Sequence, residues 1–213
     1  MTPLMDWSEA LQQALRQPLV LASASPRRSD LLRQAGLAFE TMASDVEEAA
    51  EASGLAPAEL AEAQARAKAL AVADRAPGRI VLGADTIVVL ADRVLGKPAD
   101  AAEAGHMLRM LSGSSHQVIT GLVLALGNGG EARVLDEDAV VTEVTFRELT
   151  DREIADYVAT GEPLDKAGAY GIQERGALIV GSICGCYFNV VGLSLTRLGE
   201  MLARLGWPSG PAA

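Results

Sequence analysis

The stretch "HQVITGLVLALGNGGEARVLDEDAVVTEVTF", His116 to Phe146, decides the fold class. "HQVITGLVLAL" and "RVLDEDAVVTEVTF" each read as strands, and "GNGGEA" between them is a tight turn. The two strands follow each other directly. A doubly wound parallel sheet would place a helix between them. Upstream, "RIVLGADTIVVLADRVLG" (79–96) reads as a strand, a break at Gly83-Ala84-Asp85, more strand, and a turn at Ala91-Asp92. Helices are expected over the Ala-rich run Pro57 to Asp74, over "DAAEAGHMLRMLSG", and over "TDREIADYVATG". In the last of these, Thr150 and Glu153 stand at capping-box spacing. "ALIVGSICGCYFNVVGL" (177–193) reads as strand-like, and "SLTRLGEMLARLG" as a closing amphipathic helix. Helices alternate with strands, but several strands follow one another. The expectation is an α/β fold with a mixed sheet.

The chain has 213 residues, 49% hydrophobic and 22% charged, enough for one packed domain or two closely joined lobes. Its formal net charge of −10 argues against a general nucleic-acid or anionic-membrane partner, so any basic site must be local. No apolar run reaches the ~18 residues of a membrane span. "MTPLMDWSEALQQALRQP" reads as a short amphipathic helical extension over 1–17, not a signal peptide, and 207–213 as a mobile tail. Cys184 and Cys186 are one residue apart on a strand-like segment. They are expected to point to opposite faces as reduced packing residues in a cytoplasmic protein.

"LVLASASPRRSDLLRQAG" (19–36) is a buried strand running into a helix. Ser25-Pro26 is expected to start that helix with a capping hydroxyl, and Gly36 to end it. Arg27 and Arg28 then fall in the first turn, where cations are locally unfavourable and an anion is favoured. Arginine forks with the hydroxyls of Ser23 and Ser25 suit phosphate, although two surface arginines beside a chance cap would look the same. Lys68, Lys97 and Lys166 are the only lysines against fifteen arginines, and could join the arginines in a polyphosphate pocket. Asp85 sits in the apolar run "VLGADTIVVL". It would be costly unless paired or metal-bound, and is a candidate metal ligand or general base. A turn aspartate capping a backbone amide is the alternative. Asp45, Glu47 and Glu48 in "SDVEEAAE" supply hard oxygens that suit magnesium, though such runs are usually solvated. No Gly-x-x-x-x-Gly-Lys-Ser/Thr loop, Gly-x-Gly-x-x-Gly turn or Gly-x-Ser-x-Gly elbow is present. His106 and His116 lack partners at ligand spacing and read as structural.

"LASASPRRSDLL", "LGADTIVV", "LGKP", "LSGSSHQVITG" and "GEPLDKAGAYGIQ", in this order, resemble the Maf-like nucleoside triphosphate pyrophosphatases over about residues 18–206. The resemblance implies a single catalytic domain of two lobes around a cleft, similar to the inosine triphosphatase fold. It implies hydrolysis of a nucleoside triphosphate to monophosphate and diphosphate with a divalent cation, Mg2+ or Mn2+. "GEPLDKAGAYGIQ" looks like the branch that acts on dTTP and UTP. By position, the resemblance puts the catalytic aspartate on Asp85 and base preference on Arg27, Thr86 and Gln173. Further substrate contacts fall on Ser23, Arg28, Lys68 and Lys97, and the metal on Glu48 and Asp85. It leaves a homodimer open. Glu174 stands where the family usually has glycine, and "GLSL" (192–195) replaces "GLPL". The alternatives are a 7-methyl-GTP or inosine-type triphosphatase and, from another class, a nucleotide-binding regulator of septum formation.

Overall fold

Strand β3 (Ile80–Leu90) is the axis of the molecule. The computed structural model describes residues 7–46 and 54–207. Among these, β3 lies between β1 (Leu19–Leu21) and β5 (Ser115–Gly127), in the sheet order β2-β1-β3-β5-β6-β7. The others are β2 (Phe39–Thr41), β6 (Ala132–Phe146) and β7 (Val180–Cys184). Strand β4 (Arg93–Leu95) folds back on the end of β3. β2, β1 and β3 are parallel, whereas β3, β5, β6 and β7 are antiparallel. The sheet is therefore mixed, as the consecutive strands 116–146 require.

The helices are α1 (Trp7–Ala14), α2 (Pro26–Gln34), α3 (Pro57–Ala73), α4 (Ala101–Leu111), α5 (Asp151–Val158), α6 (Tyr187–Val191) and α7 (Leu195–Arg204). Side chains alternate along β3, so its two faces meet different helices. Val81, Ile87 and Val89 face α3, packing with Ala65, Ala69, Leu60 and Ala61. On the opposite face, Leu82 and Ala84 join α1, α2 and α7 in one core, while Val88 joins α4 and α5 in another. Helix α3 lies unusually close to the sheet. A Cβ on Gly83 would collide with the Ala65 carbonyl and the Ala69 side chain, and one on Gly121 with the Ala61 carbonyl. Alanines on the helix and glycines on the strands permit that approach.

Three local expectations are corrected. β3 runs unbroken through Gly83-Ala84-Asp85, because Gly83 makes room for α3 while β5 keeps its pairing along that stretch. Residues 177–193 are not one strand: β7 ends at Cys184, Gly185 takes φ 130°, and α6 follows. Cys184 is therefore exposed at a strand end rather than packed, and both cysteines are free. Ser25 stands at the N-cap of α2, but its side chain makes no capping bond; its backbone N–H donates to Ser23 Oγ at 3.2 Å. The Thr150–Glu153 capping box forms as expected.

Candidate active site

Between its contacts with β1 and β4, one edge of β3 is bare. β1 pairs it at Val81 and Leu82, and β4 at Val88 to Leu90. Residues 83–87 have no described strand on that side, while β5 covers the other side throughout. Leu82 offers its carbonyl to Ala22 N–H on the β1 side, so by alternation the backbones of Ala84 and Thr86 point to the bare edge. Consecutive side chains there diverge: Asp85 goes to the α3 face, Thr86 to the opposite one.

On the α3 face, Asp85 is 4% exposed and Lys68 7%. Lys68 Nζ donates to Asp85 Oδ1 at 2.5 Å. The apolar strand tolerates a buried carboxylate because the close approach of α3 delivers an ammonium to it.

On the other face, Arg28 organises the hydroxyls. Its Nη1 donates to Ser23 Oγ at 3.1 Å, its Nη2 to Thr86 Oγ1 at 3.2 Å and its Nε to the Gly192 carbonyl at 2.9 Å. Arg28 lies in the first turn of α2, which Pro26 opens, and these bonds carry it back to β3. Thr86 Oγ1 also meets Thr120 Oγ1 at 2.9 Å.

A third group comes from the glycine-rich segment, which folds as 3-10 turns at Glu162–Asp165, Ala167–Ala169 and Glu174–Leu178. Arg27 Nη1 bonds Asp165 Oδ2 at 3.2 Å, tying α2 to this segment. Burial pushes the Asp165 carboxyl up, but Lys166 and then Arg27 outweigh it and hold it below its ordinary value. Lys97 is exposed beside Gly96, whose carbonyl accepts from Gly168 N–H at 3.0 Å. Gln173 is exposed at the mouth of the last turn. Its loop is held by Glu162, whose carboxylate accepts from Tyr157 Oη at 2.9 Å and Gly176 N–H at 3.2 Å. Burial, with Glu162 adding to it, raises the Tyr157 phenol well above its ordinary value. Behind the loop, His116 Nε2 and Tyr170 Oη lie 2.7 Å apart in the core, and burial lowers the imidazole to about 4.

Ser23, Arg28 and Thr86 thus bond directly, as do Lys68 and Asp85, and the two groups adjoin through the peptide between Asp85 and Thr86. Arg27 bonds the loop instead of that cluster. Glu47 and Glu48 lie outside the described residues. Asp165, Thr120, Asn189 and Glu162 were missed. Asn189 had a signal of the same kind as Asp85, a polar residue inside the apolar run "YFNVVGL". Glu174 adopts φ 51°, a conformation that suits the glycine usual there. Ser194, the residue in place of proline, is the N-cap of α7. A separate surface cavity of about 690 Å³ is lined by Asp156, Glu162, Lys166, Glu174 and Arg175; it touches neither Asp85 nor Thr86.

The arrangement can hold anionic oxygens near a carboxylate that one lysine orients. The chain matches the model of the family described as Maf-like protein over residues 18–205. It is 55% identical to the dTTP/UTP pyrophosphatase of Symbiobacterium thermophilum over 192 residues, covering 90% of this chain and 96% of the relative. It is 53% identical to the dTTP/UTP pyrophosphatase of Geobacter sulfurreducens over 188 residues, covering 88% and 96%. A match that runs from β1 through α7 takes in the bare edge of β3, both faces beside it and the glycine-rich loop, and so the chain belongs to the Maf-like protein family.

Proposed function

We propose that the chain hydrolyses dTTP and UTP to the monophosphate and diphosphate. The carrying observation is the adjacency on β3 of a lysine-bound carboxylate and an arginine-hydroxyl cluster, in a chain whose relatives at about half identity are named dTTP/UTP pyrophosphatases. Asp85 serves the α-phosphorus. Water oxygen bonds to that phosphorus, the bond to the bridging oxygen of the β-phosphate breaks, and diphosphate leaves with the bond's electron pair. Asp85 takes the water's proton or would hold a divalent cation, whose chemistry there would be to lower the pKa of water. Lys68 fixes the carboxylate, and Arg27, Arg28, Lys97 and the Ser23 hydroxyl bind the phosphates, where positive charge meets charge developing on the leaving group. Thr86 and Gln173 read the base.

Among the described residues no group of three or more His, Cys, Asp or Glu is arranged around a metal. Asp85 is the buried carboxylate of the site. The hard carboxylate oxygens of Asp85 suit a magnesium or manganese ion, which Asp85 would hold; Glu48, outside the described residues, is the second ligand in this proposal. When bound, such a cation neutralises phosphate charge. A cytoplasmic location, where nucleoside triphosphates are abundant, belongs to the same proposal.

The test is turnover of dTTP, UTP, GTP, ITP and 7-methyl-GTP with magnesium in oxygen-18 water. Label is expected in the monophosphate from dTTP and UTP, with no dTDP or UDP accumulating. Label in diphosphate would overturn attack at the α-phosphorus, and faster turnover of 7-methyl-GTP than of UTP would overturn the substrate assignment.

A further inference from the structure

A line of buried hydroxyls runs from the site into the sheet, and the direction of its hydrogen bonds is determined. Thr86 and Thr120 are register partners on β3 and β5. Thr120, Thr142 and Asn189 are each 0% exposed. They lie between the core that holds Leu82 and Leu122 and the core that holds Val88 and Val118.

Each threonine hydroxyl has one proton and two acceptor sites. Asn189 Nδ2 donates to the Val118 carbonyl and to Thr142 Oγ1, both at 3.0 Å. Thr142 Oγ1 also accepts from Cys186 N–H at 3.1 Å and donates to the Cys186 carbonyl at 3.2 Å. Its capacity is filled, and Asn189 is pinned. The Asn189 carbonyl accepts from Gly192 N–H at 3.0 Å and from Thr120 Oγ1 at 3.2 Å. The one proton of Thr120 is therefore committed to that carbonyl. In its contact with Thr86 at 2.9 Å, Thr120 can only accept, so Thr86 must be the donor. Arg28 has no acceptor, so its bond to Thr86 Oγ1 uses one of the threonine's two acceptor sites. What Thr86 has left for the bare edge of β3 is a lone pair and no proton.

We infer that Thr120 is a positioning residue for base choice: it turns the Thr86 proton inward, so that Thr86 reads its substrate as an acceptor and takes a donor group. This rests on the proposed action on dTTP and UTP. Both bases carry a ring N3–H; cytosine has a bare acceptor nitrogen at that position, and its sugar is that of UTP. The Thr120–Thr86 order therefore favours uracil over cytosine.

The experiment compares wild type, Thr120→Val, Thr120→Ser and Thr86→Val in two arms. One arm is kcat/KM for UTP and CTP. The other is calorimetric binding of the α,β-imido analogues of the same nucleotides. Thr120→Val keeps the shape but releases the Thr86 proton to turn outward. The UTP:CTP ratio is expected to fall roughly 2- to 12-fold, the worth of one neutral hydrogen bond, in both arms. Thr120→Ser should keep the wild-type ratio, because the hydroxyl alone carries the effect. If Thr120→Val does not fold, Thr86→Val, which removes the acceptor itself, should show the same fall. An unchanged ratio in the folded Thr120→Val protein, or an equal loss on UTP and CTP, would overturn the inference while leaving UTP hydrolysis standing. Failure of wild type to hydrolyse UTP would overturn the proposed function, and the binding arm would still decide the order of the hydroxyls. Binding of neither analogue by wild type would overturn both.

Discussion

Lys68 on α3 and Asp85 on β3 form a buried ion pair, Nζ to Oδ1 at 2.5 Å, with side chains 8% and 5% exposed. Asp85→Asn should retain nucleotide binding and lose turnover by about 100- to 10,000-fold, the usual effect of removing one proton-transfer group. The pair also couples to stability. Asp85→Ala or Lys68→Met alone should each cost about 3–5 kcal/mol, while the double variant should recover much of that loss. Urea unfolding of the four proteins measures the coupling; simple additivity would show that the two charges do not depend on each other.

Gly83→Ala should disturb the same pair from a distance. The new Cβ meets the Ala65 carbonyl, which is backbone and cannot turn aside. Helix α3 must shift, at a cost of about 1–3 kcal/mol. Because α3 carries Lys68, UTP turnover should fall at temperatures where the variant remains fully folded by circular dichroism.

Arg27→Ala should separate binding from stability. The Arg27–Asp165 pair is 31% and 67% exposed, and pairs of that kind contribute about 0–1 kcal/mol to folding. The melting temperature should therefore hardly move. Loss of a charge-assisted phosphate contact, about 1.5–3 kcal/mol, should weaken UTP more than UMP. Equal kinetics in wild type and variant would remove Arg27 from the phosphate site.

Gln173→Ala should narrow the preference for UTP over GTP by up to about 1–3 kcal/mol without moving the cleaved bond. Gln173 is exposed at the loop mouth and makes no hydrogen bond through its amide to described residues, so stability should be unchanged. Relative kcat/KM on the two nucleotides measures the effect; a preserved gap would exclude Gln173 from base reading.

His116 should impose an acid limit on the fold. Its imidazole titrates near 4 in the folded protein, against about 6.5 when unfolded, because burial disfavours the cation. Below pH 6.5 the unfolded chain binds a proton that the native one refuses. The contribution is complete above 6.5 and is lost as pH falls toward 4, to a total of about 3 kcal/mol. His116→Gln, whose amide can still bond Tyr170 Oη, should be less stable at pH 7 but show a shallower loss of stability between pH 6.5 and 4. An identical slope would assign acid sensitivity to other groups.

Much of the architecture was written locally. Antiparallel pairing of β5 with β6 follows from two apolar runs separated by "GNGGEA", since so short a connection allows no crossover. The α5 capping box was readable because Thr150 and Glu153 satisfy each other's backbone within one turn. The errors fell where distant chain segments overrule local preference. Gly83 looked like a strand break, but it marks the place where α3 presses on the sheet. Residues 177–193 looked like one strand, but Gly185 turns the chain and starts α6.

For the site, the sequence by itself determined which groups had to be partnered. A carboxylate inside "VLGADTIVVL" and an amide inside "YFNVVGL" cannot be buried without partners, whatever the fold. Only the tertiary structure decided the partners, because they lie 17 residues apart for Lys68 and Asp85, 58 for Arg28 and Thr86, and 69 for Thr120 and Asn189. Such pairs depend on strand register and on the distance between helix and sheet, which no short stretch encodes. Asp85 and Thr86 are neighbours in sequence, yet strand alternation sends one to an ammonium and the other to a chain of hydroxyls. The bare edge of β3 joins the two faces because β1 stops at Leu21 and β4 begins again only opposite Val88.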